Sequence, residues 1–346
     1  MRILIVSDAW HPQINGVVRT LSMVAAELTS LGHFVEVIGP DRFRTVALPT
    51  YASIRVALAP SRRLTAVIDA FRPDALHIAT EGPLGHAARR WALRRGMAFT
   101  TSFHTRFPEY LHVRTRLPPA WTYAWLRRFH NAGSAMMVAT DSLRRELAAR
   151  GFRNARAWTR GVDLARFKPR PPDAAQGDMA YPRPIFLYVG RVAVEKNLGA
   201  FLSLDLPGTK LVVGDGPQRH HLARSHPQAH FVGERHGAAL ARSYAEADVF
   251  VFPSLTDTFG LVLLESLASG TPIAAHPVTG PADILEGAPP GVGALDHDLR
   301  AAALRALSGD RAACRAHAER FSWRACAEAF LANLVVIGPG SHRTRT

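Results

Sequence analysis

A strand-then-helix alternation runs along this chain twice, with a proline-rich break between the two runs, and no other feature restricts the fold as much. In the first run Ile3–Val6 reads as a buried strand, Val17–Leu31 as an amphipathic helix closed by Gly32, and His33–Ile38 as a strand stopped by Gly39-Pro40. Further strands are predicted at Ser53–Leu58, Ala75–Ile78, Ala98–Ser102, Met136–Ala139 and Ala155–Trp158, with a short punctuated helix from Asp141-Ser142 to Arg150. The stretch Lys168 to Pro184 carries Pro169, Pro171, Pro172, Pro182 and Pro184 with Gly177 and has no apolar period, which marks a linker. The pattern restarts with strands at Ile185–Val189, Lys210–Val213, His230–Val232, Asp248–Phe252 and Thr271–Ala275, and Leu299 to Val335 reads as helical. Such alternation builds parallel sheets covered by helices. The 346 residues suit two domains at roughly 150 residues each. The expected division is 1–167, a linker at 168–184, a second domain at 185–320, and a C-terminal helix and tail at 321–346. Doubly wound sheets take ligands at the carboxyl ends of their strands, so two of them would share a site in the cleft they face.

The charge is as uneven as the fold is regular. The chain carries a net +14, and residues 1–175 hold 26 basic and 12 acidic residues whereas 176–346 hold 16 of each. A one-sided basic field fits a polyanionic partner: nucleic acid, an anionic bilayer or an acidic substrate. Only Lys168, Lys196 and Lys210 are lysines, a bias that codon usage explains, but codon usage does not explain the asymmetry. An apolar share of 47% with 20% charged residues is an ordinary globular composition. Cys314 and Cys326 are too few for a disulfide framework or a cysteine-based zinc site and read as reduced cytoplasmic thiols. The chain opens directly into its first strand, with no leader pattern, and no apolar run approaches the ~18 residues of a spanning helix.

Several strand ends carry chemistry. The segment after the first strand, Ser7 to Val17, lacks the glycine spacing of a dinucleotide fingerprint but sets Gly16 at a helix start, where backbone can approach an anion. Arg191 and Lys196 follow the first strand of the second run, where two cations could neutralise a diphosphate leaving group. Gly214-Asp215-Gly216-Pro217 is a tight turn. In Thr256 to Glu265, Asp257 and Glu265 could accept hydrogen bonds from sugar hydroxyls, and the backbone N–H groups near Gly260 and Leu261 could bind phosphate. The bland alternative makes Asp257 a helix cap and Glu265 a solvated residue. His104, just past the strand Ala98–Ser102, is a candidate catalytic group or a core histidine. Trp121, Tyr123 and Trp125 lie among Arg114, Arg116, Arg127 and Arg128, and Trp91 lies among Arg89, Arg90, Arg94 and Arg95. That interleaving suits a membrane interface, base stacking, or plain helix packing. Asp296-His297-Asp298 reads as helix capping, and no essential metal is expected.

Taken in order, these motifs resemble the retaining family 4 glycosyltransferases of GT-B fold, across nearly the whole chain. Gly16-Val17-Val18-Arg19-Thr20, Phe103 to Tyr110 and Arg160-Gly161-Val162-Asp163 are similar to the bacterial branch that glycosylates lipids, near its sulfoquinovosyl- and mannosyltransferase-like members. The resemblance implies two Rossmann-like domains facing a central cleft. It implies that Arg191 and Lys196 hold the donor diphosphate and that Glu265 binds ribose hydroxyls. Gly260 and Leu261 would offer backbone N–H groups, with Gly214 and Phe259 part of the same donor site. Gly16 would approach the phosphate and His104 the donor sugar. Asp257 stands where the family has the first Glu of its Glu-x7-Glu motif, one methylene shorter. The expected activity is transfer from UDP-glucose or UDP-glucuronate to diacylglycerol at the cytoplasmic face of an anionic membrane. The basic first domain would dock there through the Arg and Trp clusters, and no cofactor beyond the nucleotide-sugar co-substrate is implied. The alternatives are a GDP-mannose-dependent enzyme with a polyprenyl, inositol or glycan acceptor, a nucleotide-sugar epimerase, and, in another class, a nucleic-acid-binding protein.

Overall fold

The fold is described from a computed structural model covering residues 1–13, 15–48, 51–170 and 181–337; the side chains of Leu48, 51–54, Tyr110, Val113 and Arg114 are outside that description. The chain divides into two compact units, residues 1–160 with 323–346, and residues 161–322.

The first unit runs β1 (Arg2–Val6), α1 (Gly16–Ser30), β2 (Phe34–Ile38), β3 (Thr45–Leu48), β4 (Tyr51–Ala57), α2 (Ser61–Phe71), β5 (Ala75–Ile78) and α3 (Pro83–Arg95). It continues with β6 (Thr100–Phe103), α4 (Phe107–Thr115), α5 (Pro119–His130), β7 (Ala135–Val138), α6 (Asp141–Ala149) and β8 (Ala155–Ala157). Six strands form one parallel sheet in the order β2-β1-β5-β6-β7-β8. The predicted strand at Ser53–Leu58 exists as β4 but pairs antiparallel with β3 in a separate hairpin. Apolar content alone does not tell a sheet strand from a hairpin arm.

The second unit runs β9 (Ile185–Val189), α7 (Leu198–Leu202), β10 (Thr209–Val213), α8 (Arg219–Ser225), β11 (His230–Gly233), α9 (Gly237–Glu246) and β12 (Val249–Phe252). It then adds α10 (Leu261–Ala268), β13 (Ile273–Ala275), α11 (Pro281–Leu285), β14 (Gly293–Leu295), α12 (Leu299–Ala306) and α13 (Arg311–Ala318). Its parallel sheet has the order β11-β10-β9-β12-β13-β14. A last helix, α14 (Trp323–Asn333), belongs to the first unit, packing on α1 and β7. The unit boundary falls at 160/161. The stretch expected as a linker lies wholly within residues 161–322, and its residues 171–180 lie outside the described ones.

Each core follows from its strands. β1, β5, β7, β9, β10 and β12 are apolar runs whose described aliphatic and aromatic side chains are almost wholly buried. The carbonyl ends of α9 and α10, where the helix dipole is negative, are met by cations: Arg311 donates to Ala247 O at 2.9 Å and Arg315 to Ala268 O at 3.1 Å.

Candidate functional site

The second unit places its chemistry where the sheet reverses direction. From β9 the chain steps outward to β10 and β11, then returns to the other side of β9 with β12, so the switch point lies between β9 and β12. Loops that follow neighbouring strands diverge there and leave room for a ligand. The β9 loop carries Gly190, Arg191 and Lys196, and the β12 loop carries Asp257. Lys196 Nζ donates to Asp257 Oδ2 at 2.8 Å across that gap. Asn197 Nδ2 donates to Pro253 O at 3.1 Å and fastens the same two loops a second time. Asp257 Oδ1 accepts from the backbone N–H of Thr258 (2.8 Å) and Phe259 (3.3 Å). Burial pushes the Asp257 carboxyl up, but Lys196 and those two N–H groups outweigh it, so its pKa lies below the ordinary carboxylate value. Asp257 is therefore not the cap of α10: its carboxylate pairs with Lys196 across the two loops. Arg191 Nη1 lies 3.8 Å from Glu195 Oε1.

The β9 and β10 loops are stitched together through backbone. Val192 N donates to Asp215 O at 2.9 Å, and Gln218 N to Val192 O at 3.0 Å. Gly214 has φ +143°, and a Cβ there would stand 1.9 Å from Gly190 O, so only glycine lets the two loops touch. The turn is thus a spacer for the β9 loop.

Gly260, at φ +85°, precedes α10 and offers no side-chain oxygen to the helix's first N–H groups, which suits an anionic ligand near Leu261. Phe259 is buried with its ring against Phe321, so it braces the loop. Glu265 is not solvated: it is 3% exposed, and Tyr244 on α9 donates its hydroxyl to Oε2 at 2.8 Å. Tyr244 was not foreseen; an apolar-face tyrosine gives no signal of its partner.

In the first unit Gly16 opens α1, and the preceding Asn15 caps it, accepting from Val17 N and Val18 N at 3.0 Å each. The switch point here lies between β1 and β5. Asp8 spans it, accepting from Thr80 Oγ1 (3.0 Å), Leu84 N (2.8 Å) and Gly85 N (3.1 Å), so this carboxylate is spent on the start of α3. His104 follows β6, half-buried, with its ring edge-on to Trp158 at 5.6 Å. Burial, reinforced by Arg160, His77 and His130, holds its pKa well below the usual histidine value, so it is neutral at pH 7.

The aromatic and basic clusters separate. On α5 Trp121 is 71% and Trp125 43% exposed, one turn apart on one face, with Arg127 and Arg128 also exposed. Arg90, Arg94 and Arg116 are exposed as well. Trp91 corrects the expectation: it is 4% exposed in the core with Nε1 donating to Asp69 at 2.9 Å, so it is no surface contact. Arg95 pairs with Asp69, and Arg89 donates to the carbonyls of Phe129 and Arg128, ending α5. The side chain of Arg114 lies outside the described residues. Asp298 caps α12 through Arg300 N and Ala301 N, while Asp296 pairs with Arg305. A cavity of about 670 Å³ lined by Arg170, Arg183, Arg311 and Arg315 adjoins Asp248, at the amino ends of β9 and β12. It lies away from the switch-point loops, and three of its guanidinium groups are committed to backbone carbonyls.

Comparison with known proteins settles the class. Residues 14–166 match the model described as Glycosyltransferase Family 4, and residues 183–310 the model described as Glycosyl transferases group 1. A GDP-mannose-dependent alpha-mannosyltransferase of Mycolicibacterium smegmatis is 33% identical over 309 residues, covering 82% of each chain. The chain belongs to glycosyltransferase family 4. Two further relatives of this glycosyltransferase are named for other products. The sulfoquinovosyl transferase SQD2 of Arabidopsis thaliana is 31% identical over 82% of this chain and 60% of its own length. The alpha-monoglucosyldiacylglycerol synthase of Streptococcus pneumoniae is 26% identical over 80% of this chain and 71% of its own. Among solved structures, the sucrose-phosphate synthase of Thermosynechococcus elongatus superposes with a TM-score of 0.72 at 20% identity, covering 96% of this chain and 97% of that one, which establishes the GT-B fold. No helix among the described residues is long and apolar enough to cross a membrane.

Proposed function

We propose that this glycosyltransferase takes a hexosyl group from a UDP-sugar held by the second unit and transfers it to diacylglycerol, with retention of anomeric configuration and without an essential metal. The observation that carries the donor reading is the Lys196–Asp257 pair across the β9/β12 switch point. It fixes an ammonium group at the end of the sheet where a diphosphate would lie. As the bond between C1 and the phosphate oxygen breaks, Arg191, Lys196 and the backbone N–H groups at the start of α10 take up the charge growing on the phosphate. The acceptor oxygen bonds to C1 on the same face, and its proton passes to the departing phosphate. Glu265, oriented by Tyr244, accepts from the ribose hydroxyls.

The acceptor reading rests on the first unit. Residues 1–160 with 323–346 hold 26 basic and 11 acidic residues, a net +15, against 16 and 17 in the second unit. The exposed Trp121 and Trp125 give that charge an apolar foothold, the pairing a peripheral protein needs on an anionic bilayer. The relative named for a monoglucosyldiacylglycerol product supports the same acceptor.

A second reading, a GDP-mannose donor, is favoured by the relatives named for that donor. One experiment decides between them. Purified protein is incubated with UDP-glucose, UDP-galactose, UDP-glucuronate or GDP-mannose, anionic vesicles containing diacylglycerol, and EDTA, and the lipid extract is read by mass spectrometry. A hexosyl- or hexuronosyl-diacylglycerol from a UDP-sugar upholds the proposal. A product from GDP-mannose alone establishes the second reading. Release of nucleotide with unchanged lipid sinks the lipid acceptor.

A further inference from the structure

Arg160 is the last residue of the first unit, and it is a buried cation at 4% exposure. Among the described residues no carboxylate pairs with it. Its Nη1 donates to the carbonyls of Trp158 (2.6 Å) and Thr159 (3.1 Å), and its guanidinium lies 4.1 Å over the Trp158 ring. Its Nη2 lies 3.4 Å from His104 Nδ1. Burial lowers the Arg160 pKa to about 10, so it stays charged at neutral pH.

A guanidinium has only donors, so His104 Nδ1 must present its lone pair to it. A neutral imidazole that accepts at Nδ1 carries its proton on Nε2. A second proton on this ring would have to enter at Nδ1, against the Arg160 hydrogen. Among the described residues, the two histidines that lower its pKa alongside Arg160 are held by other partners. His77 on β5 has both ring nitrogens engaged by Thr100 (2.9 Å) and Ser102 (2.6 Å). His130 on α5 is bound to Thr101 (2.9 Å) and to Glu81 (3.0 Å), so that carboxylate is already committed. The Cys326 thiol of α14 is buried, with its sulfur 3.1 Å from Thr159 O.

We propose that Arg160 is a positioning residue that locks His104 in the neutral, Nε2-protonated tautomer, making it a fixed hydrogen-bond donor to an oxygen of the transferring sugar and not a proton carrier. The inference rests on the reading of His104 as a sugar contact. It assigns the histidine a direction: Nε2 gives a hydrogen bond and takes no proton from the acceptor hydroxyl. The departing phosphate is then left as the base.

The test uses the full chain labelled with 15N-histidine, with long-range proton–nitrogen spectra and His104 assigned through H104Q. The expected spectrum has a protonated Nε2 and an unprotonated Nδ1 that do not titrate between about pH 8 and 5.5. R160M, which removes the donor and the charge at similar volume, should populate the Nδ1-protonated tautomer and bring His104 into titration; R160K should preserve the wild-type pattern. A wild-type ring protonated at Nδ1, titration of the wild-type ring in that range, or an unchanged tautomer in R160M each overturn the proposal. The wild-type spectrum alone decides should R160M not fold. For transfer, R160M should lower kcat about 10- to 100-fold with donor KM within about threefold, and the R160M/H104Q pair should be no slower than H104Q. The expected tautomer together with full activity in H104Q would leave the lock standing and remove His104 from the sugar.

Discussion

The fourth strand across each sheet is a natural pair for comparison. In the second unit it is β12, Val249-Phe250-Val251-Phe252, buried and wholly apolar. In the first it is β6, where Thr100, Thr101 and Ser102 are each 0% exposed and give hydroxyl groups to His77 and His130. One unit fills the middle of its sheet by dispersion and keeps its polar groups in the loops. The other builds a hydrogen-bonded lattice through its interior and places His104 and Arg160 at its edge. The switch points differ in the same sense. Lys196 and Asp257 meet as an ion pair in the second unit, whereas Asp8 is consumed by the start of α3 in the first. A network with every member satisfied orients side chains more sharply than packing does, and it penalises each unmade bond.

The largest effect to test this contrast is K196M. It should lower donor-dependent activity about 10²- to 10³-fold in a transfer assay, since it removes a cation from the leaving group. It should also cost about 3 kcal/mol in denaturant unfolding, because it removes the ammonium that balances the buried Asp257 charge; adding D257N should restore stability but not activity. Acid comes next. Burial, then Arg160 and His130, lower the His77 pKa to about 3 in the folded protein, against 6.5 unfolded. The unfolded chain therefore binds the extra proton first. Stability of wild type should fall below pH 6.5 more steeply than that of H77Q, by about 1.4 kcal/mol per pH unit, until the folded pKa is reached. Asp257 acts lower: its folded pKa lies below 3.8, so its contribution is present above that value and fades as pH falls through the folded pKa. Third, T101V in β6 should cost about 1–3 kcal/mol by leaving His130 Nδ1 unsatisfied, and V251T in β12 a similar amount by burying a hydroxyl with no partner. Valine tolerated at no cost in β6, or threonine tolerated at no cost in β12, would break the comparison. The smallest change in stability belongs to the exposed face of α5. The pair W121S and W125S should shift unfolding by less than about 0.5 kcal/mol while reducing sedimentation with anionic vesicles.

Much of this architecture was legible in the sequence, and the gaps have physical causes. β1, β5, β9 and β12 are dense apolar runs bounded by turn residues, and their placement follows from that alone. β14 is Gly293-Ala294-Leu295, too short and too weakly apolar to register, and β4 has the composition of a sheet strand but the partner of a hairpin. In the site, Lys196 was marked by its rarity and Asp257 by its motif, but their bond was not, because the sequence separation of 61 residues carries no information on distance. Glu265 was marked by its motif as a hydroxyl-binding carboxylate, but its burial under Tyr244 was not, because that contact comes from another helix. Arg160 was visible only as part of a family motif, since nothing local marks an arginine as buried.

The placement of α14 bears on how the chain is made. Phe330 packs against His77 at 4.8 Å between ring centroids, and Trp158 Nε1 donates to Cys326 O at 3.1 Å, so the last helix closes the interior of the unit that is translated first. A ribosome must synthesise the whole of residues 161–322 before that helix exists. The earlier-born half therefore gains the cover over His77 and Trp158 only after residues 161–322 have been made. Completion of the first unit thus depends on α14, and a chain truncated ahead of Trp323 lacks that cover over His77 and Trp158.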